Sequence, residues 1–256
     1  MKPLFCLLLL SLTLSLNAQA PEAVPLPKEP HHHLVLENEY VRVFRVSVPA
    51  HAATLLHQHD VPYIYISLGP ADVVNAVRGR PEARIVMADG QVGYSLGHFA
   101  HIARTDAGST FDNVTIELLK PQGEPKNLCD QVVSGPALTC TGEVKGLPAH
   151  SPLRALPKLG IVPRRSFETD EIEVASYSLS LVGTYNEDSK SSRLLVAEDG
   201  PQLQVDIAGE SAKSLTNGET IWLEAGKEWK ILLPRQNKPA RFLMIRFKDA
   251  ATTAKP

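Results

Sequence analysis

Residues 57–69 read HQHDVPYIYISLG, and residues 90–105 read GQVGYSLGHFAHIART. In the first stretch His57 and His59 flank a single residue and lead into an aromatic and β-branched run from Tyr63 to Leu68. Such a run is a strand signal. Side chains two apart on a strand leave the same face, with Cα atoms ~7 Å apart at ~3.3 Å per residue. Two imidazoles at that spacing can converge on one ion through nitrogen–metal bonds of ~2.1 Å. In the second stretch His101 follows the Asp89-Gly90 turn, a turn containing Gly97 and the start of another strand. A fold that brings the two strands together makes His57, His59 and His101 one candidate metal site.

Working outward, the chain is rich in short alternating runs. Before the proline-rich middle these are 40–48, 63–68, 84–88 and 111–119; after it they are 171–181, 193–197, 202–207, 219–225 and 240–247. Asp89-Gly90, Asp199-Gly200 and Asn217-Gly218 supply turns between them. No stretch sustains a helical period. Short strands with regular turns predict an all-β, antiparallel sandwich or barrel. The two parts echo each other: Gly90 precedes His101 by 11 residues, and Gly218 precedes Trp229 by 11. A duplicated fold is expected.

The chain has 256 residues and a formal net charge of −2, which gives no electrostatic case for a nucleic-acid partner. All nine histidines fall between His31 and His150, so the chemistry is expected in the first part. Phosphate-binding glycine loops, Gly-x-Ser-x-Gly elbows and His-Glu-x-x-His helices do not occur, which removes nucleotide-dependent chemistry and the familiar hydrolases. Residues 1–20, MKPLFCLLLLSLTLSLNAQA, read as a secretory signal with Ala18-Gln19-Ala20 at the cleavage site, so the protein is expected to be periplasmic or extracellular. No other stretch is apolar and long enough to span a membrane. Cys129 and Cys140 are then an even pair in an exported chain, and a disulfide is expected between them. The domain reading is a signal peptide over 1–20, a proline-rich tail over 21–30, and an N-terminal domain with the metal site over 31–122. A Pro/Gly-rich linker over 123–163 and a C-terminal domain over 164–249 follow.

The segment from Tyr40 to Leu119 resembles the cupin superfamily. The first cupin motif is a glycine, five residues, His-x-His, a glutamate after three or four residues, and a closing glycine. It is matched from His51 to Gly69 through His57 and His59. The second is a glycine, five residues, Pro-x-Gly, two residues, a histidine, three residues and an asparagine. It is matched from Gly90 to Thr105 through His101. The departures are His51 for the first glycine, Leu96 for the proline, His98 for the glycine, Thr105 for the asparagine, and Tyr63 or Ile64 for the glutamate. The resemblance implies two tandem cupin-type jelly-roll β-barrels. The first carries the three-histidine ligand set, and the second is a degenerate copy with Trp229 at the place of the ligand histidine.

A three-histidine site without the carboxylate is similar to that of the thiol-oxidising and diketone-cleaving cupins. It implies one divalent transition metal, Fe foremost, with Cu, Ni, Mn or Zn as alternatives. The expected function is a dioxygenase-type oxidoreductase on a small organic molecule. The alternatives are a non-catalytic small-molecule-binding cupin and a metal-assisted isomerase or hydrolase. Tyr63 is the candidate catalytic donor, ahead of Tyr65. Glu117 is a candidate replacement carboxylate if it faces inward. His51, His98 and His150 are expected in loops, and His31 to His33 at the entry to the first strand.

Overall fold

The computed structural model describes residues 22–106, 108–123, 125–127, 132–133, 137–140, 161–179, 184–186, 190–198, 200, 202–232 and 240–248. The signal segment, Cys129 and His150 lie outside them. So does the side chain of Cys140, and with it the expected disulfide.

Alternating burial marks the strands. In the N-terminal half they are β1 (Val24–Pro25), β2 (His32–Glu37), β3 (Val41–Val48), β4 (His57–His59), β5 (Tyr63–Ser67), β6 (Ala71–Val77), β7 (Ala83–Met87), β8 (Val92–Ser95), β9 (Phe99–Arg104) and β10 (Phe111–Leu118). The middle carries β11 (Lys126–Asn127), β12 (Val132–Val133) and β13 (Ala137–Cys140). The C-terminal half has β14 (Ile161–Glu168), β15 (Ile172–Leu179), β16 (Thr184–Tyr185), β17 (Arg193–Ala197), β18 (Leu203–Ile207), β19 (Lys213–Leu215), β20 (Thr220–Leu223), β21 (Trp229–Leu232) and β22 (Ala240–Phe247). The described helix is a single 3-10 turn at Leu26–Lys28.

The duplication is written in the strand order. The larger sheet of the first half runs β8-β5-β10-β3-β2, extended at its β8 edge by β13 and β12. Its counterpart runs β20-β17-β22-β15-β14, extended by β11. The smaller sheets run β4-β9-β6-β7, with β1 added in parallel to β4, and β16-β21-β18-β19. His101 on β9 pairs with Val77 on β6, and Trp229 on β21 pairs with Ile207 on β18. The equivalence of His101 and Trp229 therefore holds in register. Among the described residues each half is a pair of facing sheets, and hydrogen bonding does not close either into a continuous barrel.

The inner strands of the larger sheets are buried on both faces. On β5, Ile64 and Ile66 point away from the half's own interior, toward Ile172, Val174, Leu194 and Ile245 of the other half, in one shared apolar cluster. Tyr63 and Tyr65 point the other way, between the first half's two sheets. This two-sided burial explains why β5 reads Tyr-Ile-Tyr-Ile with no polar alternation. The shared cluster of 18 buried residues fuses the halves into one four-layered body.

The matching turns seal that junction. Gly90 packs against Glu198, and Asp89 is ion-paired with Arg241. Reciprocally, Gly218 packs against Arg45 and Leu68. Gly218 has φ +81°, and a Cβ there would stand 1.7 Å from Arg45 Nη1 and 2.7 Å from Leu68 Cδ1. Gly218→Ala is therefore expected to destabilise the protein by about 1–3 kcal/mol, through backbone strain and a displaced neighbour. Denaturant melts check this, and an unchanged midpoint would contradict it.

Two regions differ from the sequence reading. Of the segment read as an extended tail (21–30), residues 22–30 are built into the first half. β1 pairs with β4, Leu26 is buried in the core, and Glu29 is 1% exposed. Parallel edge pairing suits a proline-rich segment, because an edge strand leaves N–H positions unused. The segment read as a linker contributes edge strands: β13 pairs with β8, and β11 with β14. β14 itself begins at Ile161, inside that segment.

Candidate metal centre

β4 and β9 are adjacent and antiparallel, with His57 opposite His101 and His59 opposite Phe99. Residues directly opposite bring their Cβ atoms within about 5 Å. The strand parity that joins His57 to His59 and the register that joins His57 to His101 thus put three imidazoles on one interior patch. One nitrogen from each lies within 4.8 Å of the others. His57 and His59 are 1% and 2% exposed.

Hydrogen bonds through Nδ1 orient two of the three rings; His59 Nδ1 is buried with no partner among the described residues. His57 Nδ1 donates to the Leu55 carbonyl at 2.9 Å, and His101 Nδ1 donates to Asn75 Oδ1 at 2.7 Å. Both assignments leave Nε2 as the bare nitrogen. His57 Nε2 is buried with no hydrogen-bond partner among the described residues. His59 Nε2 and His101 Nε2 stand 3.1 Å apart. With bonds of ~2.1 Å, two nitrogens on one ion at roughly right angles lie about 3 Å apart. An orphaned buried nitrogen, this close approach and fixed Nδ1 acceptors together fit a divalent metal and its supporting hydrogen bonds.

Electrostatics agree. Burial pushes the His57 imidazolium down to about 4, with the nearby His32 adding to the fall. Burial holds His59 and His101 well below the ordinary histidine range, and their neighbouring imidazoles reinforce it. The rings are neutral near pH 7, the form that binds metal. For the metal-free protein, the unfolded chain binds protons at His57 below the ordinary histidine value of 6.5 while the folded chain does so only near 4. Stability from this group is complete above pH 6.5 and is lost as pH falls toward 4; for His57 it is on the order of 3 kcal/mol. Chelator-treated protein is therefore expected to show a melting temperature that falls across this window, and His57→Gln a flatter profile. Parallel profiles would contradict it.

The cluster opens into a cavity of ≈ 380 Å³ between the two sheets of the first half. Val46, Val48, Val73, Met87 and Phe111 supply apolar wall; Asn113, Thr115 and Gln91 supply polar groups. Tyr63 stacks on His59 at 4.1 Å between ring centres. Burial raises its phenol above the ordinary tyrosine value, against a hydrogen bond to Ser95, so it stays neutral. Tyr65 also lines the cavity and lies across β8 where a Cβ on Gly93 would sit 2.2 Å from its Cζ. Glu117 shares the inward parity of Asn113 and Thr115. It is paired with Arg42 at 3.0 Å and stands outside the histidine group. His51 and His98 are exposed loop residues with φ 59° and 61°. Thr105 ties loops together by donating to the Pro49 carbonyl at 2.6 Å.

Three residues escaped sequence reasoning. Asn75 lies on β6, 26 positions from His101, with no motif around it. Glu29 and His32 sit beside the cluster. Glu29 Oε2 lies 2.5 Å from His32 Nδ1, and Oε1 accepts the Leu55 N–H at 3.1 Å. Burial raises the Glu29 carboxyl, but these hydrogen bonds outweigh it and hold the group below the usual carboxylate value. The His31-His32-His33 run reads as strand entry ahead of a stray-ion-binding tail, and nothing in it ties His32 to the motif histidines.

Among the described residues the second half has no such centre. Tyr177, Tyr185, Trp229 and Phe242 fill the corresponding space; Tyr177 and Phe242 stack at 5.0 Å, and Tyr185 meets Trp229 edge-on at 6.1 Å.

No family model and no curated protein matches the sequence. Solved structures do share the fold. AerE from Microcystis aeruginosa superposes with TM-score 0.59 at 11% identity, over 86% of this chain and 99% of that one. A salicylate 1,2-dioxygenase from Pseudaminobacter salicylatoxidans gives 0.51 at 12% identity, over 81% and 71%. A cupin 2 conserved barrel domain protein from Leptotrichia buccalis gives 0.50 at 9%, over 85% and 88%. The chain has the cupin fold. It is a two-cupin chain whose first half carries a three-histidine group that could hold a metal ion.

Proposed function

We propose that this chain is an exported, metal-dependent oxidoreductase of dioxygenase type acting on a small organic molecule in the first-half cavity. The observation that carries this reading is the three-histidine cluster opening into an apolar cavity of ≈ 380 Å³. His57, His59 and His101 would hold one divalent ion, iron foremost, with copper, nickel, manganese or zinc as the alternatives. Such an ion supplies positions for a substrate donor atom and for oxygen. The chain does the rest. Leu55 and Asn75 fix the ring orientations, and the valine and phenylalanine walls keep water off the rings. Asn113 and Thr115 face the substrate's polar edge, and the neutral phenol of Tyr63 orients one reactant beside His59. The salicylate dioxygenase of the same fold, solved with gentisate, supports a substrate of single-ring size.

Oxygen uptake by metal-loaded protein with a panel of thiols, diketones and single-ring aromatics tests the reading. At least one compound is expected to drive uptake, and His57→Ala to lose it by about 100-fold or more. Binding without uptake, across the panel, would mark a non-catalytic cupin instead. Asn75→Ala is expected to weaken metal binding about 10-fold by freeing the His101 ring. An unchanged affinity in a chelator competition would contradict that role.

A further inference from the structure

A fourth imidazole stands at the edge of the cluster, and it comes from outside both motifs. His32 lies at the start of β2, opposite Val46, and its side chain is 5% exposed. It lines the cavity. Its ring centre is 4.8 Å from that of His57 and 6.4 Å from that of His59. Among the three clustered rings the separations are 4.4, 5.0 and 5.1 Å. Two imidazoles bound to one ion through bonds of ~2.1 Å have ring centres no more than about 6.5 Å apart. His32 meets that bound toward His57 and His59, two of the three ligand rings. It is not in the group whose nitrogens fall within 4.8 Å of one another, so joining it requires the ring to turn toward them.

The supporting hydrogen bonds are the stronger argument. Metal-bound histidines typically give their second ring N–H to a carboxylate or carbonyl. His57 gives Nδ1–H to Leu55 O, and His101 gives it to Asn75 Oδ1. His32 is held in the same way, through Nδ1 at 2.5 Å from Glu29 Oε2. Glu29 is fully enclosed and also takes the N–H of Leu55, whose carbonyl orients His57. One buried carboxylate therefore braces two of the four rings. The segment that brings it is locked to the ligand strand by the pairing of Val24 with His57 and Pro25 with Gln58.

We propose that His32, braced by Glu29, is a fourth nitrogen ligand of the first-half metal centre, occupying the role that the missing motif glutamate leaves open. The assignment rests on the three-histidine reading above. Its ligand class is a divalent transition ion of the kind that favours imidazole.

Titration of metal-stripped full-length protein with Co²⁺, followed by visible absorbance, tests it. His32→Ala is expected to weaken Co²⁺ binding by about 10–100-fold and to alter the absorption band, with Glu29→Gln between it and the unsubstituted protein. His57→Ala, run beside them, is expected to abolish the band. If His32→Ala folds poorly, His32→Gln carries the same expectation while keeping a partner for Glu29. Co²⁺ affinity and spectrum unchanged in the His32 variants, with the band lost in His57→Ala, would overturn the fourth ligand and leave the three-histidine centre standing. No Co²⁺ binding by the unsubstituted protein would overturn both.

Discussion

Replacing His57, His59 or His101 by alanine is expected to lower transition-metal affinity by about 100-fold or more, while the protein stays folded. Each removal takes one of three neutral donors and leaves a space among the two others. His57→Ala should be the most damaging of the three. It also empties the position that Leu55 and Glu29 organise, and its Nε2, like His59 Nδ1, is buried with no hydrogen-bond partner among the described residues. Folding should survive, because the apolar clusters that build and join the two halves keep all their members. Chelator competition together with circular dichroism measures both halves of this expectation. Retained affinity in all three variants would show that the cluster is not the binding site.

Trp229→Ala is expected to have the opposite signature: a loss of about 3–5 kcal/mol in stability with metal content unchanged. Trp229 occupies the register position of His101, yet it is 5% exposed and packed with Tyr185, beneath Arg193 at 5.5 Å. The aromatic filling makes the second half a packed support for the first through their shared apolar layer. Denaturant unfolding and metal analysis of the same preparation separate the two effects. Metal lost in proportion to Trp229 truncation, without loss of stability, would contradict the division of roles.

Much of this organisation was legible locally. The His57-Gln58-His59 spacing and the strand that follows already place two imidazoles on one face, because parity needs only neighbouring residues. The repeat from Gly90 to His101 and from Gly218 to Trp229 survives as matching register because turns and strand lengths are also local properties. What was not legible depends on pairing at a distance. Asn75 is recognisable only once β6 lies against β9. Glu29 sits among four prolines, a composition that reads as a free tail until β1 docks on β4. The inward face of β10 carries Asn113, Thr115 and Glu117, and alternation alone did not distinguish the two that line the cavity from the one paired with Arg42.

The proposed function requires one metal centre in the first half and none in the second. Metal analysis of the protein purified without a histidine tag tests it most directly. About one equivalent of a divalent transition metal, lost in His57→Ala and kept in Trp229→Ala, is the predicted result. Less than ~0.2 equivalents, unaltered by His57→Ala even after reloading with excess metal, would contradict it.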